Sequence, residues 1–214
     1  MSIKQVILAL DLTIPANVER AIQNMDIVYV TIGFAYRSSV WQKLWLPFME
    51  SVIQSCIRHN AKLVFLGNIY ALGGSAVNHI TESTPPQPTS KKGQVRAQVD
   101  QLLLSSIESG QLQGIIARAP DFFGGNSGAN SIMMSLVLAR LRQGQKAQWL
   151  CNANKIHSYG FVPELAHGLA LLGNTNSAFN QIWNLPTSAE KTTGEDWMPR
   201  RGGKISGARL DEAD

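Results

Sequence analysis

An unbroken apolar run in the middle of the chain restricts the fold more than any other stretch. Ala61–Tyr70, AKLVFLGNIY, contains the run LVFL, the composition of a strand that a parallel sheet buries on both faces. Gly67 and Asn68 end it. Pro85, Pro86 and Pro88 then hold the chain extended up to Ser90, because proline fixes φ and pushes its predecessor out of the helical region. From Val95, apolar residues recur at Val99, Leu102, Leu103 and Ile107, the spacing of one helical face. The apolar segment GIIARA follows. Strand, loop, helix and strand make a βαβ unit, whose ligand lies beyond the C-terminal ends of its strands.

The same alternation runs through the chain. KQVILALDL predicts a strand, and Thr13 to Met25 a short helix with Thr13 as cap and Pro15 in its first turn. MDIVYVTIGF predicts a second strand, ended by Gly33. Trp41 to Asn60 carries Trp41, Leu44, Trp45, Phe48, Met49, Val52, Ile53 and Cys56 at helical spacing. The helix over Gln94–Ser109 stops at Gly110, and GIIARAPDFFGG reads as one strand. SIMMSLVLARLRQG and ELAHGLALLG read as helices, with FNQIWNLP as the last strand. This order predicts an α/β fold, a doubly wound and mostly parallel sheet. It occupies residues 1–197, with 198–214 a disordered tail of glycine and charge.

Composition excludes several classes. The net charge is +4, but the basic residues are scattered and do not interleave with aromatics, which argues against a nucleic-acid groove. No apolar run approaches the ~18 residues of a membrane span, so no membrane partner is expected. Cys56 and Cys151 form no C-x-x-C and read as free thiols in a reducing, cytoplasmic setting. His59, His79 and His167 show no metal spacing, and there is no G-x-S-x-G or P-loop. No metal is expected.

Seven segments in order carry a family resemblance: DLT-x-P-x-x-V-x-x-AI, MDIVYVTIGF, KLVFLGNIYALG, ITESTPPQPTSKKGQVRAQVD, IIARAPDFFG, IHSYGFVPELAHGLALL and FNQIWNLPT. Together they resemble the extended short-chain dehydrogenase/reductases, the NAD-dependent epimerase/dehydratases, over nearly the whole chain. The resemblance implies a Rossmann-like fold, an NAD or NADP cofactor and a nucleotide-linked sugar or similar hydroxyl or keto substrate. It puts Asp11, Gly33, Gly67, Asn68, Arg96, Ala119, Pro120, Asp121 and Phe122 along the cofactor's path. At Asp121 and Phe122 the implied contact is with the main chain.

Three departures qualify it. The family opens with a strand, a G-x-x-G-x-x-G turn and a helix, whereas this chain's first strand resembles the family's third, with Asp11 near the adenine. The fold is therefore expected to be incomplete at the N-terminus, and also at the C-terminus. The family's Tyr-x-x-x-Lys pair falls on Lys92 and Arg96. A phenol beside an ammonium has a lowered pKa and passes protons, while an arginine stays charged and does not. The family's catalytic Ser/Thr falls near Leu66 or Gly67, which have no hydroxyl. Tyr70 is the phenol that could stand in, although the family packs a structural tyrosine there.

Two readings follow. In one, the chain is an NAD(P)-binding epimerase/dehydratase relative, catalytically impaired. In the other, it is a non-catalytic Rossmann-like binding or interaction module. His157 and Tyr159 read as hydrogen-bonded packing residues, Trp41 and Trp45 as core, and Lys91 and Lys92 as solvated. Unpaired sheet edges would favour self-association into a homo-oligomer.

Overall fold

The computed structural model describes residues 6–124, 127, 131–150, 152–188, 192–194, 196 and 205–208. Its centre is a four-stranded parallel sheet in the order β1-β2-β3-β7, with β1 Ile27–Val30, β2 Lys62–Asn68, β3 Gly114–Ala119 and β7 Gln181–Asn184. Register pairs Val30 with Phe65, Asn68 with Ala119 and Arg118 with Asn184. The strands run the same way, so their C-terminal ends share one edge.

Two helices cover one face. In α2, Ser38–His59, the apolar stripe expected from the sequence is buried, and Asn60 closes the helix in the left-handed region at φ 52°. Pro47 sits inside α2. Proline donates no bond there, and Ser51 Oγ donates to the Pro47 carbonyl at 2.9 Å. In α3, Lys91–Glu108, Ser90 Oγ accepts from the Gly93 N–H at 3.0 Å. Val95, Val99, Leu103 and Ile107 face the sheet and join the α2 stripe in the main core. The opposite face is covered by α5, Val162–Gly173, through Leu165 and Leu169 against Val64, Ile115 and Ala117.

Several expectations are corrected. KQVILALDL does not form a strand over its described residues: Val6–Asp11 is irregular, with Val6 75% and Ile7 84% exposed. An extended segment needs a neighbour to satisfy its backbone, and β1, the nearest strand in sequence, pairs only with β2 among the described residues. The following helix, α1, is shorter, Pro15–Ile22, and its cap position is Ile14. Thr13 instead gives its N–H and hydroxyl to Asp11 Oδ1, at 2.9 and 2.7 Å. GIIARAPDFFGG splits at Pro120, which has no N–H for a ladder. Beyond it β4, Asp121–Phe123, leaves the main sheet and pairs with β6, Tyr159–Phe161. SIMMSLVLARLRQG becomes a π-helical turn, Met133–Leu138, running into α4, Ala139–Arg142.

Met133 and Val137 form a third, small core with Ala147 and Trp149. Within the stretch expected to be an unstructured tail, β8, Ile205–Ala208, pairs in parallel with β5, Ala147–Leu150. Cys151 and the rest of that stretch lie outside the described residues.

Candidate functional site

Three loops and one helix start meet at the C-terminal edge of the sheet, where a doubly wound fold places its ligands. The loop after β1 brings Gly33 and Tyr36, the turn after β2 brings Tyr70, and Pro120 after β3 delivers Asp121. In that turn the Tyr70 N–H donates to Asn68 Oδ1 at 3.1 Å. The first turn of α3 reaches the same place because residue 93 is glycine: a Cβ there would stand 2.4 Å from the Tyr70 carbonyl oxygen. That close approach sets Lys92 beside the loops.

The side chains then sort into two groups. Tyr36 and Tyr70 share a hydrogen bond, hydroxyl to hydroxyl at 3.2 Å. Lys92 Nζ lies 3.8 Å from the centre of the Tyr36 ring, and the Tyr70 ring stacks on Trp41 at 6.2 Å and 19°. Across the site, His157 Nε2 and Asp121 Oδ2 are 2.9 Å apart, with the imidazole lying 4.7 Å from the Tyr159 ring. These two side chains remain 40% and 24% exposed, open enough to meet a ligand.

Electrostatics separates the phenols from the histidine pair. Burial raises the pKa of Tyr36. Burial, with the charge of Asp121 adding to it, raises Tyr70 and Tyr159 well above the ordinary phenol range. A phenol acting as a base needs the opposite shift. Burial thus keeps the Tyr70 phenol in its neutral form, hydrogen-bonded to the Tyr36 hydroxyl. The Asp121 carboxylate, besides its main chain, lies at this edge and pairs with His157.

The two basic residues of the lost motif have parted. Lys92 is at the rim, where partial burial lowers its pKa. One turn on, Arg96 points inward and is 6% exposed. Its guanidinium lies 3.8 Å over Trp45, 4.9 Å from Trp41 and 5.5 Å from Phe65, an aromatic box for a weakly hydrated cation. Burial draws its pKa down to about 10 against the pull of Asp100. Asp100 is buried beside it, and burial pushes its carboxyl up to about 6 although Arg118 and Arg96 resist. Arg96, expected among the cofactor contacts, is enclosed by these rings, of which Trp41 in turn stacks on Tyr70.

A Cβ on Gly33 would meet nothing within 4 Å, so a ligand has room at that loop. Gly67 answers to the sheet instead, where a Cβ would lie 3.3 Å from Ile116 Cγ2. Asn68 is committed to its turn, and Asp11 to Thr13. Ala119 and Pro120 are buried at the end of β3, and Phe122 packs on the α5 side of the sheet. Among the described residues, no glycine-rich turn opens a helix, the arrangement by which a helix N-terminus cradles a diphosphate.

Elsewhere, Trp41 and Trp45 are core, as expected. His59 bonds Glu19, which also pairs with Arg58 and accepts from Ser55. His167 lines an apolar cavity of about 550 Å³ between α5 and the end of β7. No group of three metal-ligating side chains occurs among the described residues. Nor is any helix there long and apolar enough to cross a membrane. Sequence reasoning missed Tyr36, whose signal was an aromatic residue in the polar loop just past a strand end. It also missed the Asp121–His157 pairing, which joins residues 36 apart in sequence.

A parallel α/β sheet of Rossmann type, with its polar cluster at the C-terminal edge, defines the broad class. Within it, the model of the NAD dependent epimerase/dehydratase family matches residues 3–185, and the chain belongs to that family. No curated protein matches it. Among solved structures it is similar to the UDP-glucose 4-epimerase of Thermus thermophilus in complex with NAD, at TM-score 0.77 and 17% identity over 96% of this chain and 72% of that one. It is also similar to Streptomyces venezuelae dTDP-glucose 4,6-dehydratase with NAD bound, at TM-score 0.78 and 13% identity over 93% and 65%. A third is the UDP-N-acetylglucosamine 4-epimerase of Methanobrevibacter ruminantium in complex with UDP-N-acetylmuramic acid, at TM-score 0.73 and 15% identity over 90% and 69%. The chain thus spans between 65% and 72% of the length of these proteins.

Proposed function

We propose that this chain is an epimerase/dehydratase relative that presents a sheet-edge site to a nucleotide-linked sugar or similar hydroxyl or keto ligand. It binds NAD weakly, if at all, through its own residues, and the family's phenol-driven hydride chemistry is impaired. One observation carries the reading. The residue at the tyrosine position, Lys92, has no phenol, and the residue at the lysine position, Arg96, is packed under Trp45 rather than facing the edge. The family gives the ligand class, and the names of its neighbours give the nucleotide sugars to try. We further place the protein in the cytoplasm, in keeping with a buried, unpaired Cys56. Self-association through the outer edge of β1 fits its lack of a second strand neighbour among the described residues.

The burial of Arg96 also favours a second reading, a binding module without catalysis. Thermal unfolding with and without NAD tests the cofactor claim. A dissociation constant near 1 µM would, at about 1 mM NAD, add about 4 kcal/mol and raise Tm by roughly 8–16 °C. The proposal expects a shift of under about 1 °C, and the larger shift would contradict it. A change of Tm with UDP-glucose supports the ligand class of the first reading, and no response to it favours the binding-module reading.

A further inference from the structure

Five side chains meet at the C-terminal edge of the sheet, and the family motif accounts for none of the chemistry of Asp121, His157 and Tyr36. The Asp121 carboxylate faces one nitrogen of His157. With Asp121 ionised, Nε2 carries the proton and donates to it, leaving the Nδ1 lone pair available. Nδ1 has no hydrogen-bond partner among the described residues, and the ring is 40% exposed. The Tyr36 hydroxyl, the Tyr70 hydroxyl and Lys92 Nζ form the donor side. Asn68 pairs with Ala119 across β2 and β3, so the turn that carries Tyr70 and the segment that carries Asp121 leave the sheet side by side. One end of the cluster therefore accepts a proton and the other stabilises a negative oxygen.

We propose that Asp121 and His157 form an acid–base pair that, with Lys92 and the Tyr36 hydroxyl, exchanges the proton on a carbon beside the carbonyl of a small hydroxy-carbonyl compound. His157 Nδ1 takes the proton from that carbon, and the C–H electron pair becomes the C=C bond of an enolate. The carbonyl π pair moves to oxygen, where Lys92 and Tyr36 donate hydrogen bonds. Asp121 stabilises the imidazolium, and return of a proton from His157 restores the starting compound. No electrons leave the substrate, so the step needs no cofactor. It rests on the sheet-edge site of the first reading under Proposed function but not on NAD or a nucleotide sugar, so proton exchange and the NAD-dependent Tm shift fail separately.

The experiment follows loss of the CH₂ signal of dihydroxyacetone in D₂O by proton NMR, with the full chain present. General acid–base catalysis is typically worth about 10²–10⁴-fold. Exchange is expected at least about a hundredfold faster with the wild type than with His157→Gln or Asp121→Asn. The double variant is expected to be no slower than either single variant, because the two residues act as one unit. Lys92→Met is expected to lose about tenfold. Each variant's melting temperature is taken alongside. Should the substitutions unfold the chain, the ¹⁵N ring shifts of His157 in the wild type give a second reading. The pair predicts the Nε2–H form at about pH 8. Wild-type exchange no faster than that of folded His157→Gln overturns the proposal, as does the Nδ1–H form in the wild type.

Discussion

Lys92 and Arg96 stand one helical turn apart on α3, in positions that the family gives to a cooperating pair, and the fold treats them in opposite ways. Arg96 belongs to an aromatic box with Trp41, Trp45 and Phe65, closed to solvent and joined to the main core. Lys92 belongs to a polar rim with Tyr36, Asp121 and His157, partly open at the strand ends. Residues 92 and 96 share one face of α3, and they differ in height: the first turn meets Tyr36 of the loop and the next meets Trp41 and Trp45 of α2. An arginine tolerates that direction because its flat, weakly hydrated guanidinium lies well on indole faces. Matching a motif's spacing thus preserves the backbone geometry of a site without preserving its chemistry.

The contrast between box and rim is sharpest in stability. Trp45, wholly buried and touching Phe34, Trp41, Phe48 and Phe65, is expected to cost about 3–5 kcal/mol on Trp45→Ala, read by urea unfolding. Lys92→Ala is expected to stay within about 0.5 kcal/mol. Near-equal losses would break the distinction.

The interior also has a signature in pH. Asp100 has a carboxyl raised from the ordinary 3.8 to about 6 by burial. Between those values the folded state holds a proton that the unfolded state has released, so stability falls as pH rises. The loss is on the order of 3 kcal/mol between about pH 4 and pH 6. Asp100→Asn should flatten that slope in denaturant melts taken across the window. Glu19, on the surface, behaves in the opposite sense: Arg58, with Ser55 and His59, holds its carboxyl down at about 2. Its contribution is present above the ordinary carboxylate range and is lost as pH falls towards 2.

A smaller effect lies where the two regions join. Gly93→Ala forces a Cβ to within 2.4 Å of the Tyr70 carbonyl, so the start of α3 must shift, at a cost of about 1–3 kcal/mol. Because that shift moves Lys92, the variant is also expected to weaken the contact of Lys92 with Tyr36. Unchanged Tyr36 ring resonances in its NMR spectrum would show that Gly93 does not set the rim.

Much of this was readable from residue order. LVFL and GIIARA gave β2 and β3, and the stripes from Trp41 to Cys56 and from Val95 to Ile107 gave α2 and α3, because burial on a sheet leaves a periodic trace. The resemblance supplied the family and the edge at which to look. Three things left no such trace. KQVILALDL has strand composition, yet a strand exists only where a neighbour pairs with it. Pro120 turns a seemingly continuous apolar segment into two strands in different sheets. The rim was the least legible, since Tyr36, Tyr70, Asp121 and His157 come from four separate segments, and the raised phenol pKa values depend on burial that only the fold creates.

Conversion of UDP-glucose by the purified chain with NAD, followed by the release of an epimerised or dehydrated sugar, tests the central claim most directly. With no phenol at position 92 and Arg96 sealed in its box, no product is expected above a protein-free control. Turnover near about 10 s⁻¹, an ordinary enzyme rate, that is lost on Arg96→Met in a folded variant would contradict the account.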